Sequence, residues 1–215
     1  MSKAVPLSAI KKAVLDGIVD AAGAAGERFG MWLNEFPEYY VTARVADRLA
    51  KALGDQGWVH LEQQRSAVLK SAKAELRGRR ARAVPKKARF DLTAYYTNET
   101  PRAIIEIKSP VYAWNDAIQR DVDRLCDALN RTAEKSPLQC GVLGWYTDAT
   151  IPDRKDTSAT ERVRRYLDEW ERQVRDCVAS HGMRVEFARS KVSRIRHGSS
   201  DQFEAWTAWV AMIRN

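Results

Sequence analysis

The sequence predicts a mixed α/β domain in which helices flank a central sheet. Three observations carry this expectation. Residues 88–108, ARFDLTAYYTNETPRAIIEIK, set two β-forming runs on either side of a polar turn. Residues 138–147, LQCGVLGWYT, form another apolar run. Amphipathic helical patterns stand before and after that run, over 112–134 and 158–180.

The elements follow in chain order. Leu7, Ile10, Val14, Leu15 and Ile18 recur at helical spacing over residues 7–22, and the AAGAAG that follows loosens the pattern, so weak packing is expected of this first helix. Residues 1–30 thus read as an N-terminal helical extension. A second helix runs from about Pro37 to Leu53, with Pro37 suited to its start and Tyr40, Val41, Val45, Leu49 and Leu53 as its apolar stripe. WVHLE at 58–62 reads as a short strand. The hairpin follows, with strands at 88–96 and 102–108 around TNETP. Ser109-Pro110 ends its second strand, and Ile118, Val122, Leu125 and Leu129 face inward from the next helix. Val163, Tyr166, Leu167, Trp170 and Val174 share one face of the later helix. MRVEFARSKVSRIR, 183–196, reads as a strand, and the tail FEAWTAWVAMI, 203–213, fits a strand better than a helix. The seven Trp are expected in the core. No repeat or low-complexity linker divides residues 1–215, which read as a single domain.

Composition narrows the function. At 45% hydrophobic and 30% charged residues the chain is globular rather than disordered. Its 36 Lys and Arg exceed its 28 Asp and Glu, and the net charge of +8 favours a polyanionic partner. The excess concentrates at 65–89, where ten cations meet one acid, Glu75. Lys73, Arg77, Arg79, Arg80, Arg82, Lys86 and Lys87 of this segment are the candidate phosphate contacts; a solvated basic arm is the rival reading. No apolar run approaches the roughly 20 residues of a membrane span, so no membrane partner is expected. Cys126, Cys140 and Cys177 are widely spaced, form no C-x-x-C pair, and do not group with His60, His181 or His197. Neither a zinc site nor a disulfide framework is therefore expected, and a reducing cytoplasm is the expected compartment.

Side chains at i and i+2 of a strand share a face, so Glu106 and Lys108 point together while Ile107 points the other way. The hairpin brings Asp91 beside them. Two carboxylates and an ammonium at the edge of an apolar sheet are costly unless paired or metal-bound. Paired carboxylates suit a hard cation, Mg²⁺ or Mn²⁺, to which the Ile107 carbonyl adds a further oxygen. An ion pair at a sheet edge is the plainer reading of the same residues.

FDLTAYYTNETPRAIIEIKSP resembles the PD-(D/E)XK nuclease superfamily, whose pattern is an acid, a spacer, then acid-x-Lys; Asp91, Glu106 and Lys108 match it, and Phe90 stands at the position of the often absent Pro. The helix–strand–hairpin–helix–strand order over residues 35–148 is similar as well. The resemblance implies a restriction-endonuclease-like mixed central sheet flanked by helices. It also implies a nuclease-like domain with a divalent-metal-dependent phosphodiesterase activity on DNA. Such proteins serve restriction, repair, junction resolution and phage defence, and some have lost catalysis and only bind nucleic acid. Members often add an acid from the preceding helix. Glu38 is the candidate here, with Glu35 and Glu62 behind it, and a helix-dipole role is its rival. Asp121 borders the stripe of the helix after the Glu106 strand, where an i,i+3 pair with Arg124 is the expected role. Tyr112 and Trp114 are candidates for base stacking or for the core. Substrate choice and the existence of a homodimer are left open.

Overall fold

The computed structural model describes residues 4–73, 88–131, 136–152, 158–196 and 202–215. Its helices are α1 (Leu7–Phe29), α2 (Glu38–Leu53), α3 (Arg65–Ser71), α4 (Asp116–Asn130) and α5 (Ala159–Ser180). Its strands are β1 (Gly57–Gln64), β2 (Arg89–Tyr96), β3 (Pro101–Lys108), β4 (Cys140–Pro152), β5 (Arg184–Arg189), β6 (Ser193–Arg196) and β7 (Gln202–Arg214). All seven strands join one sheet in the order β1-β2-β3-β4-β7-β5, with β6 also paired to β7. Only β3 and β4 run parallel; the other neighbours are antiparallel. The fold is thus mixed α/β with an open mixed sheet.

Strand alternation divides the core into two layers. Ile105, Ile107, Val142, Val210 and Met212 meet α1 and α2 on one face. Ile104, Leu143, Trp145, Trp209 and Ile213 meet α4 and α5 on the other. Each face is covered, so the central strands read as almost unbroken apolar runs. The same rule settles the tail. Ala208, Val210 and Met212 serve one layer and Trp209, Ala211 and Ile213 the other, an alternation that only a strand between two helical layers satisfies.

Three expectations change. The first helix does not weaken at AAGAAG but continues to Phe29, with Ala21 and Ala25 fully buried and Gly30 in the left-handed conformation (φ 62°) closing it. Ala21 and Ala25 are the residues of this stretch that pack into the core. The helix expected from 112 starts at Asp116, because the Asn115 Oδ1 accepts the N–H groups of Ala117 (2.9 Å) and Ile118 (3.1 Å). The single strand expected over 183–196 is two strands. Between them the Ser190 hydroxyl accepts the Ala208 N–H at 3.0 Å, a side chain standing in for a backbone carbonyl.

The tryptophans divide. Trp145, Trp170 and Trp209 form a buried aromatic cluster with ring centroids 3.9 and 5.8 Å apart. Trp58 lies outside the core, 39% exposed and stacked on Tyr95 at 4.4 Å.

Candidate functional site

The β2–β3 register pairs Leu92 with Ile105, and one step further along it Asp91 faces Glu106. At that step the Asp91 Oδ2 accepts the Ile107 N–H at 2.7 Å, so a side chain continues the ladder where the hairpin's backbone pairing ends. Ile107 itself is fully buried among α1 and α2. Glu106 and Lys108 take the opposite face, towards α4. All three residues of the acid / acid-x-Lys pattern therefore meet at the C-terminal end of β3.

Two helices complete the cluster. From the first turn of α2, Glu38 Oε1 meets the Lys108 Nζ at 3.3 Å, and its Oε2 accepts the Ser109 N–H at 3.2 Å. From α4, Asp121 Oδ2 lies 3.3 Å from the Lys108 Nζ. Arg124, one turn on, bonds Asp121 and also donates from Nη2 to the Glu106 Oε1 at 3.1 Å. Four carboxyl groups thus face two cations.

Burial decides the ionisation. Glu106 is 1% exposed, and that desolvation, with Asp91 beside it, pushes its carboxyl well above the ordinary range; Arg124 opposes without cancelling. Glu38 moves upward for the same first reason, burial. Burial works against the charge on Lys108, but Asp121, Glu38, Asp91 and Glu106 outweigh it and hold the ammonium above the usual lysine value. The upward shifts of the Glu106 carboxyl and the Lys108 ammonium both mark a pocket in which carboxyl groups outnumber cations. The donors are hard oxygens. Such oxygen donors are of the type that hard divalent cations take.

The other candidates lie elsewhere. Glu35 closes a 3-10 turn, its Oε2 accepting the Trp32 N–H at 2.6 Å. Glu62 pairs with Arg89 at 3.5 Å on an exposed strand end. Asp121 makes the expected i,i+3 pair with Arg124 and reaches Lys108 as well. Tyr112 is 47% exposed, and Trp114 packs against the core layer that α4 covers. Lys73 is exposed just beyond α3. Arg77, Arg79, Arg80, Arg82, Lys86 and Lys87 lie outside the described residues. Arg65, at the head of the basic run, is instead buried at 5% exposure beside Asp127, 3.6 Å away.

Arg124 is the cluster member that sequence reasoning missed as a site residue. Its i,i+3 spacing to Asp121 is the signal that points to it. A second grouping escapes the sequence as well. Asp123, Cys177 and His181 bring their ligand atoms within 4.8 Å of one another, although Asp123 lies 54 residues before Cys177.

No protein-family model, curated protein or solved structure matches the chain. Among the described residues no helix is long and apolar enough to cross a membrane.

Proposed function

We propose that the chain is a divalent-metal-dependent nuclease that hydrolyses phosphodiester bonds, with DNA as its substrate class. The carrying observation is the convergence of Asp91, Glu106, Lys108 and Glu38 at the end of one hairpin in a strongly basic chain. A hairpin leading through α4 into a parallel β4 supports the restriction-endonuclease-like resemblance.

Asp91, Glu106 and the Ile107 carbonyl would hold Mg²⁺ or Mn²⁺, with Glu38 on the outer side. The bound ion would supply Lewis-acid activation of a phosphoryl oxygen and of a water. Arg124 occupies Glu106 with a single charge, and its release would leave a guanidinium at the rim to meet a phosphate. Lys108, kept charged by its neighbours, orients the attacking water and stabilises negative charge building on the phosphate. The basic segment at 65–89 would hold the backbone of the nucleic acid.

One observation favours a second reading, a catalytically silent nucleic-acid-binding module. Every carboxylate of the cluster already has a hydrogen-bond or ion-pair partner. Nicking of supercoiled plasmid with Mg²⁺, Mn²⁺ or EDTA separates the two. The nuclease cuts with either ion and not in EDTA. Asp91→Ala or Glu106→Ala abolishes cutting in a folded protein, and Lys108→Ala lowers it by roughly 10²–10⁴-fold. A gel shift in EDTA with no cutting under saturating Mn²⁺ leaves the binding module.

A further inference from the structure

Away from the carboxylate cluster, and beside the apolar contact of α4 with α5, three polar side chains meet between the two helices. Cys177 and His181 stand four residues apart at the C-terminal end of α5, so they share a face of that helix. Both address one atom. The Cys177 thiol donates to the Asp123 Oδ1 at 3.4 Å, and the His181 Nε2–H donates to the same oxygen at 2.9 Å. Asn130 adds a tie between the helices, donating from Nδ2 to the His181 carbonyl at 3.5 Å.

We propose that Asp123, Cys177 and His181 form a site for one borderline-soft divalent ion, Zn²⁺ by class, separate from the hard-oxygen cluster at Glu106. Four observations lead there. The donor set is one sulfur, one imidazole nitrogen and one carboxylate oxygen, each an established zinc ligand type, and sulfur with nitrogen selects against Mg²⁺. The two separations to the Asp123 oxygen are near those of a filled site, and the sulfur and the ring nitrogen lie within 4.8 Å of each other. Ligands at ordinary zinc distances in a tetrahedron stand about 3.4–3.6 Å apart, so 3.4 Å already fits and 2.9 Å needs to widen by roughly half an ångström. Asp123 and Cys177 stand on two packed helices and His181 caps the end of the second, its carbonyl tied back to Asn130. Finally, the side chains of Asp123 and His181 are 41% and 23% exposed, giving the ion an entry path and leaving a fourth position for water.

Binding exchanges protons for the ion in a balanced way. The thiol loses its proton to solvent and binds as thiolate. The neutral imidazole moves its proton from Nε2 to Nδ1 and binds through the Nε2 lone pair. Asp123 binds through the oxygen that both hydrogen bonds now share. A neutral thiol, a neutral imidazole and a carboxylate give way to an ion with two anionic ligands and one neutral ligand. The product is a staple between α4 and α5, one and two residues from the Arg124 and Asp121 that α4 presents to the carboxylate cluster.

The test uses the purified full chain, reduced and metal-free, titrated with Co²⁺ and separately with Zn²⁺. Co²⁺ should give a thiolate-to-metal charge-transfer band in the near ultraviolet that excess Zn²⁺ erases. Zn²⁺ at about 100 times its Kd should raise Tm by roughly 5–10 °C. Both signals should vanish in Cys177→Ser and His181→Ala, with each variant's fold checked by circular dichroism. Both should persist in Glu106→Gln, which disables the carboxylate cluster alone. Loss of nicking in Glu106→Gln with the band intact thus tests the two sites independently. A wild-type protein that takes up Co²⁺ without the charge-transfer band, or takes up none, overturns the proposal. So does a band that survives Cys177→Ser.

Discussion

Glu106 faces two conflicting demands. Its place on a central strand removes its carboxyl from water, and its place in the cluster sets Asp91 beside it. Both favour the protonated form. A carboxyl whose pKa rises on folding binds its proton more tightly in the folded chain. The stability so contributed is complete below the unfolded value of about 4.3 and is lost as pH rises through the higher folded value. Glu38 shifts the same way. The metal-free protein is therefore expected to lose stability as pH rises from the unfolded carboxyl value of about 4.3 through the raised folded values, and Glu106→Gln should be the more stable protein at the upper end of that window. Melting curves in EDTA across it check this. Parallel pH profiles for the two proteins would mean that Glu106 ionises as an ordinary surface carboxylate. Asp91, Glu106, Lys108 and Glu38 were legible in the sequence because each occupies a fixed place in a local pattern: a period-2 strand, a short hairpin, a first helical turn. Arg124 was not, because its meeting with Glu106 depends on the rotational phase of α4 over β3, which no local spacing encodes. The Cys177–His181 pair is local, but Asp123 lies 54 residues before Cys177, and only the packing of α4 on α5 joins them.

Elements set the reach of these side chains. Glu38 meets Lys108 only because α2 is held at the right height over β3, and α1 holds it there. The crossing of the two helices turns on Gly17: a Cβ at this position would stand 2.6 Å from the Val45 Cα, a backbone atom that no side-chain rotation can move aside. Gly17→Ala should push α2 outward and cost about 1–3 kcal/mol, lowering Tm by roughly 3–10 °C. It should also weaken the Glu38–Lys108 pair and so reduce nicking, with Asp91 and Glu106 intact. Differential scanning calorimetry with a nicking assay measures both, and an unchanged Tm would show that the helices separate without cost. The order and type of most elements were legible, since the hairpin and the amphipathic helices each carry their own periodicity. The second half of α1 was not. AAGAAG has too few large residues to mark a stripe, yet smallness is what a close helix contact requires. The division of residues 183–196 into β5 and β6 was equally hidden, because it rests on the Ser190 hydroxyl meeting a strand that lies later in the chain.

At the scale of the whole molecule, a chain of net positive charge contains an acidic pocket. The chain carries +8 overall, while the cluster around Glu106 sets four carboxyl groups against two cations. A phosphate approaching that pocket without a divalent ion meets repulsion at the end of its path, so affinity for nucleic acid must come from the basic residues outside it. Residues 65–89 are the densest run of such cations, but Arg65 is taken up by Asp127, and phosphate binding falls to the cations after it. Each phosphate neutralised releases counterions, and each cation–phosphate pair removed should reduce the slope of log K against log salt by roughly 0.9 on duplex DNA. Changing Arg77, Arg79, Arg80 and Arg82 together to Gln should therefore flatten the slope by up to about 3.6 if all four bind phosphate, and weaken binding of every sequence alike. Ion affinity at Glu106 should stay nearly the same wherever the replaced charges stand more than a Debye length of about 8–10 Å away. Equilibrium binding to one duplex at three or more salt concentrations in EDTA, for wild type and the four-Gln variant, measures the slope. An unchanged slope would move the phosphate-binding surface to another face, with Arg184 and Arg189 of β5 the next cations to replace.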